Sequence, residues 1–571
     1  MLNLSEEEKT LMRSPEVVMN PKQLGSFRQT RISFSRSLLR KMMREQWVIK
    51  NSAKQLDDNG YGHFIYEIDT KQGLLTFIAF SDEIDEAERN DRVISEKWDI
   101  TFALIEGRMT HQKYNHLKSE LPKQEFGRGT EQDIVWSRAN KSTRMFNYIV
   151  NALSAGEQPD PKELAKVGYI LRTTAFYGNG KFGVASYKKL NKTHPLYGAF
   201  RAQMLAAYLL RHFSFELVEH IAAAASGHAV SLEPEIKRYL GIGNATGLGM
   251  VPFLIKHPKL VNRWLLLREL ALARAKNNWM TEGDVNQLQH FLNAAIDYLK
   301  EYPAIDTALF AEPLGVAGEL AFIKQELSRM YEHHKGGIKW HMFTSLVEPR
   351  IDSESQEFLN TLLIELFPEQ VDCLGEETTV DESYELEPGM TVQRLMTIIQ
   401  SQYSWVFQFD FTKKEEKYYF WYRSAEKEEP RIGIRGSDPG EAYEMEMNIA
   451  EDIQNLYDTL IHYPDTQNYV SLFLLKYPRF RNTVRRIQSL EGLEFAEIRG
   501  NLQNKGMLPI QLMRCKLSLF GADRFDPKSN KWVRITLYQG APLISDLTET
   551  CDDHWAFPLI PQIKKGEANG V

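Results

Sequence analysis

The chain has 571 residues, more than one ordinary hydrophobic core accommodates, so several lobes are expected. Hydrophobic residues make up 43% and charged residues 25% of the chain, which is typical of a soluble globular protein and not of a disordered or fibrous one. The formal net charge of −7 argues against nonspecific nucleic-acid binding, because that function requires a dominant basic face.

The cysteines and the N-terminus favour a cytoplasmic protein. Cys373, Cys515 and Cys551 are too few and too scattered for a disulfide framework or a paired-cysteine metal site. The first residues lack the basic and apolar regions of a secretion signal, and no stretch approaches about 18 uninterrupted apolar residues. We therefore predict no membrane partner.

Residues 1–125 are predicted to form an α+β lobe. Arg28–Lys50 repeats apolar side chains at helical spacing and is densely basic, which predicts either a helix with a solvated basic face or arginines that turn inward to hold an anion. Strands are predicted at Tyr61–Thr70, Gly73–Phe80 and Lys97–Glu106, and the short turn between the first two favours an antiparallel meander.

Residues 126–370 are predicted to form a helical lobe, because apolar residues recur there every three or four positions. The predicted helices are Trp136–Leu153, Pro161–Thr173, Pro195–Ser226, Glu233–Leu240, Leu248–Ile255, Lys259–Lys276, Glu282–Lys300 and Ser355–Leu366. Within Pro195–Ser226, the stretch Tyr197–Ala225 is long and largely apolar, so it is the predicted central helix of this lobe.

Residues 371–387 are acidic and poor in apolar side chains, which predicts a linker, and residues 388–571 are predicted to form a second α+β lobe. Its predicted helices are Thr391–Gln400, Met445–Ile461 and Thr466–Lys476, and its predicted strands are Tyr403–Phe411, Lys417–Arg423, Gly506–Phe520 and Trp532–Tyr538. The whole is predicted to be an α+β protein, predominantly α-helical, with a helical middle lobe flanked by two smaller mixed lobes with antiparallel strands.

Two glycine-rich segments carry the predicted site. The first, Arg172–Gly183, concentrates hydrogen-bond donors in an otherwise apolar region. We predict that it binds an anion and that one of its side chains transfers a proton, and the alternative is an ordinary surface turn. The predicted ligand-binding residues are Arg172, Thr173, Asn179 and Lys181, and the predicted proton donor or acceptor is Tyr177.

The second segment, Gly241–Met250, is predicted to be a turn that precedes a helix. Asn244 and Thr246 are candidate N-cap residues, and the N–H groups from Gly247 onward would then face a carboxylate or phosphate. The alternative is a tight connection between helices in which the glycines only permit close packing.

Gly178–Gly183 matches the string GxGxxG of dinucleotide-binding loops. That fingerprint follows a strand and opens a helix, whereas the preceding Pro161–Thr173 is predicted to be helical, so a dinucleotide site is the weaker alternative. A Walker-type phosphate loop is excluded, because the residue after Lys181 is Phe182.

Three further residues are candidates. Arg431 and Arg435 follow an aromatic strand and can bind a carboxylate, or they can pair with the neighbouring glutamates. His257 is a candidate general acid or base. No HExxH or GxSxG pattern is present, so neither a metal site nor a covalent nucleophile is predicted.

Together these patterns predict an enzyme that acts on a small anionic metabolite, a carboxylate or a phosphate, by proton transfer in a pocket formed by the glycine-rich turns. A ligand-sensing or assembly protein without catalysis is the alternative, and a nucleotide- or dinucleotide-dependent enzyme is the weaker one. The sequence identifies neither the reaction, the substrate nor a cofactor, and it leaves a homo-oligomer open.

Overall fold

The computed structural model describes most of the chain. The described residues are 4–84, 98–120, 133–173, 190–247, 257–301, 312–335, 337–381, 383–413, 421–424, 430–432, 444–447, 449–499, 514–515, 518–527, 532–551 and 554–562. The protein is an α+β structure and mainly helical, as predicted.

A nine-stranded mixed sheet runs through the protein. Its strands are β1 (Val48–Leu56), β2 (Gly62–Thr70), β3 (Gly73–Ser81), β4 (Ile100–Glu106), β5 (Asp133–Lys141), β6 (Tyr169–Thr173), β7 (Gly241–Gly247), β11 (Ala522–Pro527) and β12 (Trp532–Leu537). The order is β1-β2-β3-β4-β5-β6-β7-β12-β11, and only β6 and β7 run parallel to each other. The predicted meander of β2, β3 and β4 is confirmed.

The first helices are α1 (Glu6–Leu11), α2 (Pro15–Val18), α3 (Pro21–Ser26) and α4 (Phe34–Arg44). Helix α4 covers only the middle of the predicted helix 28–50. It ends before Gln46, which has a positive φ of 56°, and the chain then enters β1. Strand β1 was not predicted because most of its side chains are polar and exposed.

Helices α5 (His111–Glu120), α6 (Phe146–Ser154), α7 (Pro161–Ala165), α8 (Arg201–Ala225) and α9 (Pro234–Tyr239) cover the sheet. Helix α8 is buried at every position from Ala202 to Phe215 and packs against β3, β4, β5, β6 and β7. On the opposite face a smaller apolar cluster joins α5 to the strands through Leu117, Ile105 and Trp136. The predicted central helix is thus confirmed, although it starts at Arg201 and not at Tyr197.

Two predicted helices are wrong in part. The segment 136–153 is the second half of β5 followed by α6, and 161–173 is α7 followed by β6. Gly168, with a φ of +82°, separates α7 from β6, and this left-handed conformation suits glycine and ends the helix. The short apolar run after it fits a buried strand as well as a helix, so periodicity could not distinguish the two.

A second group of helices surrounds one buried helix. These are α10 (Pro258–Asn277), α11 (Glu282–Glu301), α12 (Pro313–His334), α13 (Trp340–Val347), α14 (Ser353–Glu365) and α15 (Pro368–Val371). Helix α14 contacts α3, α10, α11, α12 and α15. Because neighbours lie on all its sides, its polar residues are buried as well, and Glu354, Glu357, Thr361 and Glu365 recur on one face at intervals of three and four residues.

Arginines from distant parts of the chain neutralise this face. Arg13 donates to both carboxylate oxygens of Glu269 at 2.9 and 2.6 Å and to Glu357 at 2.5 Å. Arg268 binds the same two carboxylates, and the side chains of Arg268, Glu269 and Glu357 are all fully buried. The cluster fastens the segment after α1 to α10 and α14.

A second cluster lies at the C-terminal end of α14. Arg36 donates to both oxygens of Glu365 at 2.6 and 2.9 Å, and Arg31 bridges Glu365 and Asp372. Burial alone would raise the pKa of Glu365, but the charge of Arg36, a hydrogen bond with His554 and the charge of Arg31 together hold this pKa well below its usual range.

We expect the protein to lose stability in mild acid. The folded-state pKa values of Glu365 and Glu354 lie below those of an unfolded chain, so their ion pairs stabilise the fold above about pH 5 and the stabilisation is lost as the pH falls. Urea unfolding followed from neutral pH downward checks this. A free energy of unfolding that stays constant down to about pH 3.5 would contradict it.

The C-terminal part contributes helices α16 (Val392–Gln402), α17 (Ile449–Ile461), α18 (Val470–Lys476) and α19 (Arg481–Ser489) and a small sheet of β8 (Trp421–Ser424), β9 (Pro430–Ile432) and β10 (Glu444–Met447). The predicted strand 403–411 is wrong, because Ser404–Gln408 is a 3-10 helix. In the predicted linker, Asp372–Thr378 is a 3-10 helix that buries Leu374. The division into lobes stays a prediction.

Among the described residues, no helix combines the length and apolar character that crossing a bilayer requires.

Candidate functional site: a basic cleft

The two glycine-rich segments meet where they begin. Strands β6 and β7 pair in parallel, with Tyr169 opposite Gly241 and Arg172 opposite Gly243. A Cβ atom at Gly243 would lie 2.6 Å from atoms of the Tyr169 ring, so this position requires glycine. The close approach of the Tyr169 ring to the backbone of β7 therefore explains one glycine of the motif by packing.

The second segment is a strand, so the predicted turn before a helix is wrong. Residues 241–247 form β7, a central strand between β6 and β12, with Asn244 opposite Ile535 and Thr246 opposite Val533. The backbone N–H groups of a central strand donate to carbonyl groups of its two neighbouring strands. They are therefore not presented to a ligand as they would be at a helix N-terminus. Neither Asn244 nor Thr246 is an N-cap.

Asn244 also lies on the other face of the sheet from Arg172. Arg172 shares a face with Gly243, its partner on β7, and successive residues of a strand point to opposite faces. The Asn244 side chain is 1% exposed and lies on the apolar face that carries Ile242 and Ile535. Its amide has no hydrogen-bond partner within the described part of the chain. Arg172 and Asn244 therefore do not form one site.

A shallow cleft lies beside Arg172, with about 260 Å³ of empty space when the part open to solvent is counted. It is lined by Lys141, Ser142, Thr143, Arg144, Val167, Tyr169, Arg172 and Arg534. These residues come from the end of β5, the connection from β5 to α6, the segment leading into β6, β6 itself, and β12. The connection is fixed against β6 by a hydrogen bond of 2.9 Å from the Ser142 N–H to the Ile170 carbonyl oxygen.

Four of the residues that line the cleft are cations, and none of the described lining residues is acidic. Arg172 is 8% exposed, whereas Arg144 is exposed at the mouth. Two acidic residues neighbour the lining: Asp526 on β11 is directly across from Arg534, and the Asp99 carboxylate accepts the Lys141 backbone N–H at 2.9 Å. Grouped guanidinium groups around a concave surface favour oxyanions, which they bind through paired N–H donors.

Lys141 is positioned by aromatic rings. Its ammonium lies 4.6 Å from the centre of the Phe146 ring and 5.5 Å from that of Tyr61. Such cation–π contacts stabilise the ammonium group. The ring contacts therefore fix Lys141 between α6 and the loop before β2.

The other predicted site residues lie elsewhere or outside the described residues. Thr173 is buried, and its hydroxyl donates to the Arg138 carbonyl oxygen at 3.1 Å, which is a structural role. His257 immediately precedes α10, which packs against α1, α13, α14 and α15. Arg431 lies on β9 in the separate three-stranded sheet. Tyr177, Asn179, Lys181 and Arg435 are outside the described residues.

The prediction of a helix before the GxGxxG string at residues 178–183, which counted against a dinucleotide loop, is wrong. The segment before it is strand β6, and the next strand, β7, is parallel to β6 with α8 between them. The fingerprint also requires a helix directly after the loop, and among the described residues the first helix after β6 is α8, which begins at Arg201. The loop itself lies outside the described residues.

Comparison of the chain with protein-family models, with curated proteins and with solved structures gave no match.

Proposed function

We propose that the protein binds a small anion, through carboxylate or phosphate oxygens, in the cleft lined by Arg144, Arg172 and Arg534. The observation that carries this proposal is the convergence of three arginines and Lys141 from three separate stretches of sequence on one concave surface. The N–H donors of several arginines around one concave surface suit the oxygens of a carboxylate or a phosphate.

The proposal extends the prediction made for Arg172 and separates binding from catalysis. Anion binding rests on side chains that the structure describes. Of the two predicted proton-transfer residues, we assign this role to Tyr177, which follows Arg172 closely in sequence. His257 is the less suitable candidate, because it immediately precedes α10, a helix that packs on other helices. If the ligand is a substrate, Tyr177→Phe would abolish turnover and leave the affinity for the ligand nearly unchanged.

A nucleotide is a second candidate ligand. The observation that favours it is the strand–helix–strand arrangement of β6, α8 and β7, with the GxGxxG string directly after β6. In α/β units of this kind phosphates bind in the loop after the first strand. A nucleotide could place a phosphate near Arg172 while its base occupies a different surface.

We expect Arg172→Gln and Arg534→Gln each to weaken anion binding by about 10- to 150-fold, which corresponds to the loss of about 1.5–3 kcal/mol for a hydrogen bond to a charged group. The check is isothermal titration calorimetry with inorganic phosphate, pyrophosphate, citrate and ATP. ATP binding much tighter than pyrophosphate binding would favour the nucleotide.

The matched control is Arg329→Gln, since Arg329 is exposed on α12 and pairs only with Glu326 among the described residues. It should leave every affinity unchanged. Equal affinities of wild type, Arg172→Gln and Arg534→Gln for every anion that binds would contradict the proposal.

A further inference from the structure

Helix α18 presents an apolar side to solvent. Tyr469, Leu472 and Leu475 follow one another at intervals of three residues and are 55%, 46% and 80% exposed. Residues at this spacing lie on one side of a helix. The opposite side of α18 is anchored, because Val470 and Phe473 are fully buried.

The anchoring makes this surface rigid. The Val470 N–H donates to the Met390 carbonyl oxygen at 2.8 Å, and the Val392 N–H donates to the Asn468 carbonyl oxygen at 2.9 Å. Phe473 stacks on Phe480, with ring centres 6.1 Å apart. The exposed leucines are therefore held on a fixed framework that needs little ordering before it binds a partner.

Positive charge follows the apolar side in the sequence. Lys476 lies one helical turn after Leu472. Arg479 lies in the 3-10 helix that follows α18, and Arg481 is the first residue of α19. The side chains of all three are exposed. Residues 466–490 contain no aspartate or glutamate. Among the described residues, no carboxylate lies within ion-pair distance of Lys476, Arg479 or Arg481, whereas the nearby Arg486 is paired with Glu497.

We propose that this surface, formed by Tyr469, Leu472, Leu475, Lys476, Arg479 and Arg481, binds an acidic amphipathic helix of a partner protein. Leucine and tyrosine side chains provide the apolar contact for such a helix, and the cations complement carboxylates on its flanks. This site is separate from the anion-binding cleft and does not depend on it.

Two other occupants fit the surface less well. In a dimer with a twofold axis both copies would contribute this same surface, and residues 466–490 offer no carboxylate to complement its cations. A nucleic acid would use the cations but would leave the exposed leucines without a role, since its affinity comes from phosphate contacts. An acidic helix uses both features.

The test is a display selection of randomised helical peptides on the full-length chain. The recovered peptides should combine aspartate and glutamate with leucine or phenylalanine at helical spacing. Fluorescence anisotropy with these peptides should show affinities at least about tenfold weaker for Leu475→Ser and for Arg479→Glu, as expected for central and charged interface residues. The affinity of the Arg479→Glu variant for these peptides should also depend less on salt concentration than that of the wild type.

Matched controls are Leu314→Ser, an exposed leucine on α12 that is 62% exposed, and Lys192→Glu, an exposed lysine elsewhere. Both should bind the peptides as wild type does. Selection of basic peptides, or of none that distinguish wild type from Leu475→Ser, would overturn the proposal. So would oligonucleotide binding that Arg479→Glu abolishes, or a dimer in sedimentation that Leu475→Ser dissociates.

Discussion

Replacing Glu357 with glutamine is expected to lower the free energy of unfolding by about 3–5 kcal/mol, because removing one member of a buried ion cluster leaves a buried charge without compensation. In the native cluster Arg13 and Arg268 face Glu269 and Glu357, so two positive charges balance two negative ones. The variant retains both arginines and only one carboxylate. Urea unfolding at neutral pH measures the change.

Glu332→Gln is the control for this experiment, because Glu332 is exposed on α12 and an isosteric change there should alter the free energy of unfolding by less than about 0.5 kcal/mol. A similarly small change for Glu357→Gln would contradict the assignment of this cluster as a buried, charge-balanced unit.

Replacing Arg211 with methionine is the second large expected effect, a loss of about 3 kcal/mol or more, since the carbonyl groups of Lys237, Leu240 and Ala541 lose their side-chain donor and a buried carbonyl without a donor costs about 1–3 kcal/mol. The guanidinium of Arg211 is fully buried and donates to the carbonyl oxygens of Leu240, Pro542, Lys237, Arg238 and Ala541. These carbonyls lie at the end of α9 and after β12.

Arg211 therefore fixes the entry to β7 and the exit from β12, and β12 contributes Arg534 to the cleft. We expect Arg211→Lys to restore only part of the stability, because an ammonium cannot reproduce the planar set of donors. Thermal and urea unfolding compare the two variants with Arg329→Met, an exposed control on α12. Wild-type stability in Arg211→Met would show that the five carbonyl groups are satisfied in another way.

The sequence predicted those elements whose conformation follows from their own side-chain pattern. Strands β2, β3 and β4 are rich in β-branched and aromatic residues, and α10, α11 and α14 repeat apolar residues at helical spacing. Strand β7 could not be predicted in this way, because glycine and asparagine disfavour strands. It is a strand because β6 and β12 flank it, and Gly243 admits the Tyr169 ring.

The candidate site was predictable only at Arg172, where donors are dense in the local sequence. Lys141 and Arg534 stand among ordinary strand residues, and only the order β5-β6-β7-β12 brings them near Arg172. For residues 28–50 the sequence analysis offered arginines that turn inward to hold an anion as one alternative. Arg31 and Arg36 do turn inward, but they bind carboxylates of the protein itself. The recurrence of acidic residues along one face of α14 was a sequence signal for this pairing.

The central claim is that an oxyanion binds beside Arg172, and the most direct measurement is the anomalous diffraction of crystals soaked in selenate, a heavy analogue of phosphate and sulfate. We predict an anomalous peak within hydrogen-bond distance of the Arg172 and Arg534 guanidinium groups, and its loss in crystals of Arg172→Gln. A selenate site found only at other surfaces, or a peak beside β6 that persists in Arg172→Gln, would contradict the claim.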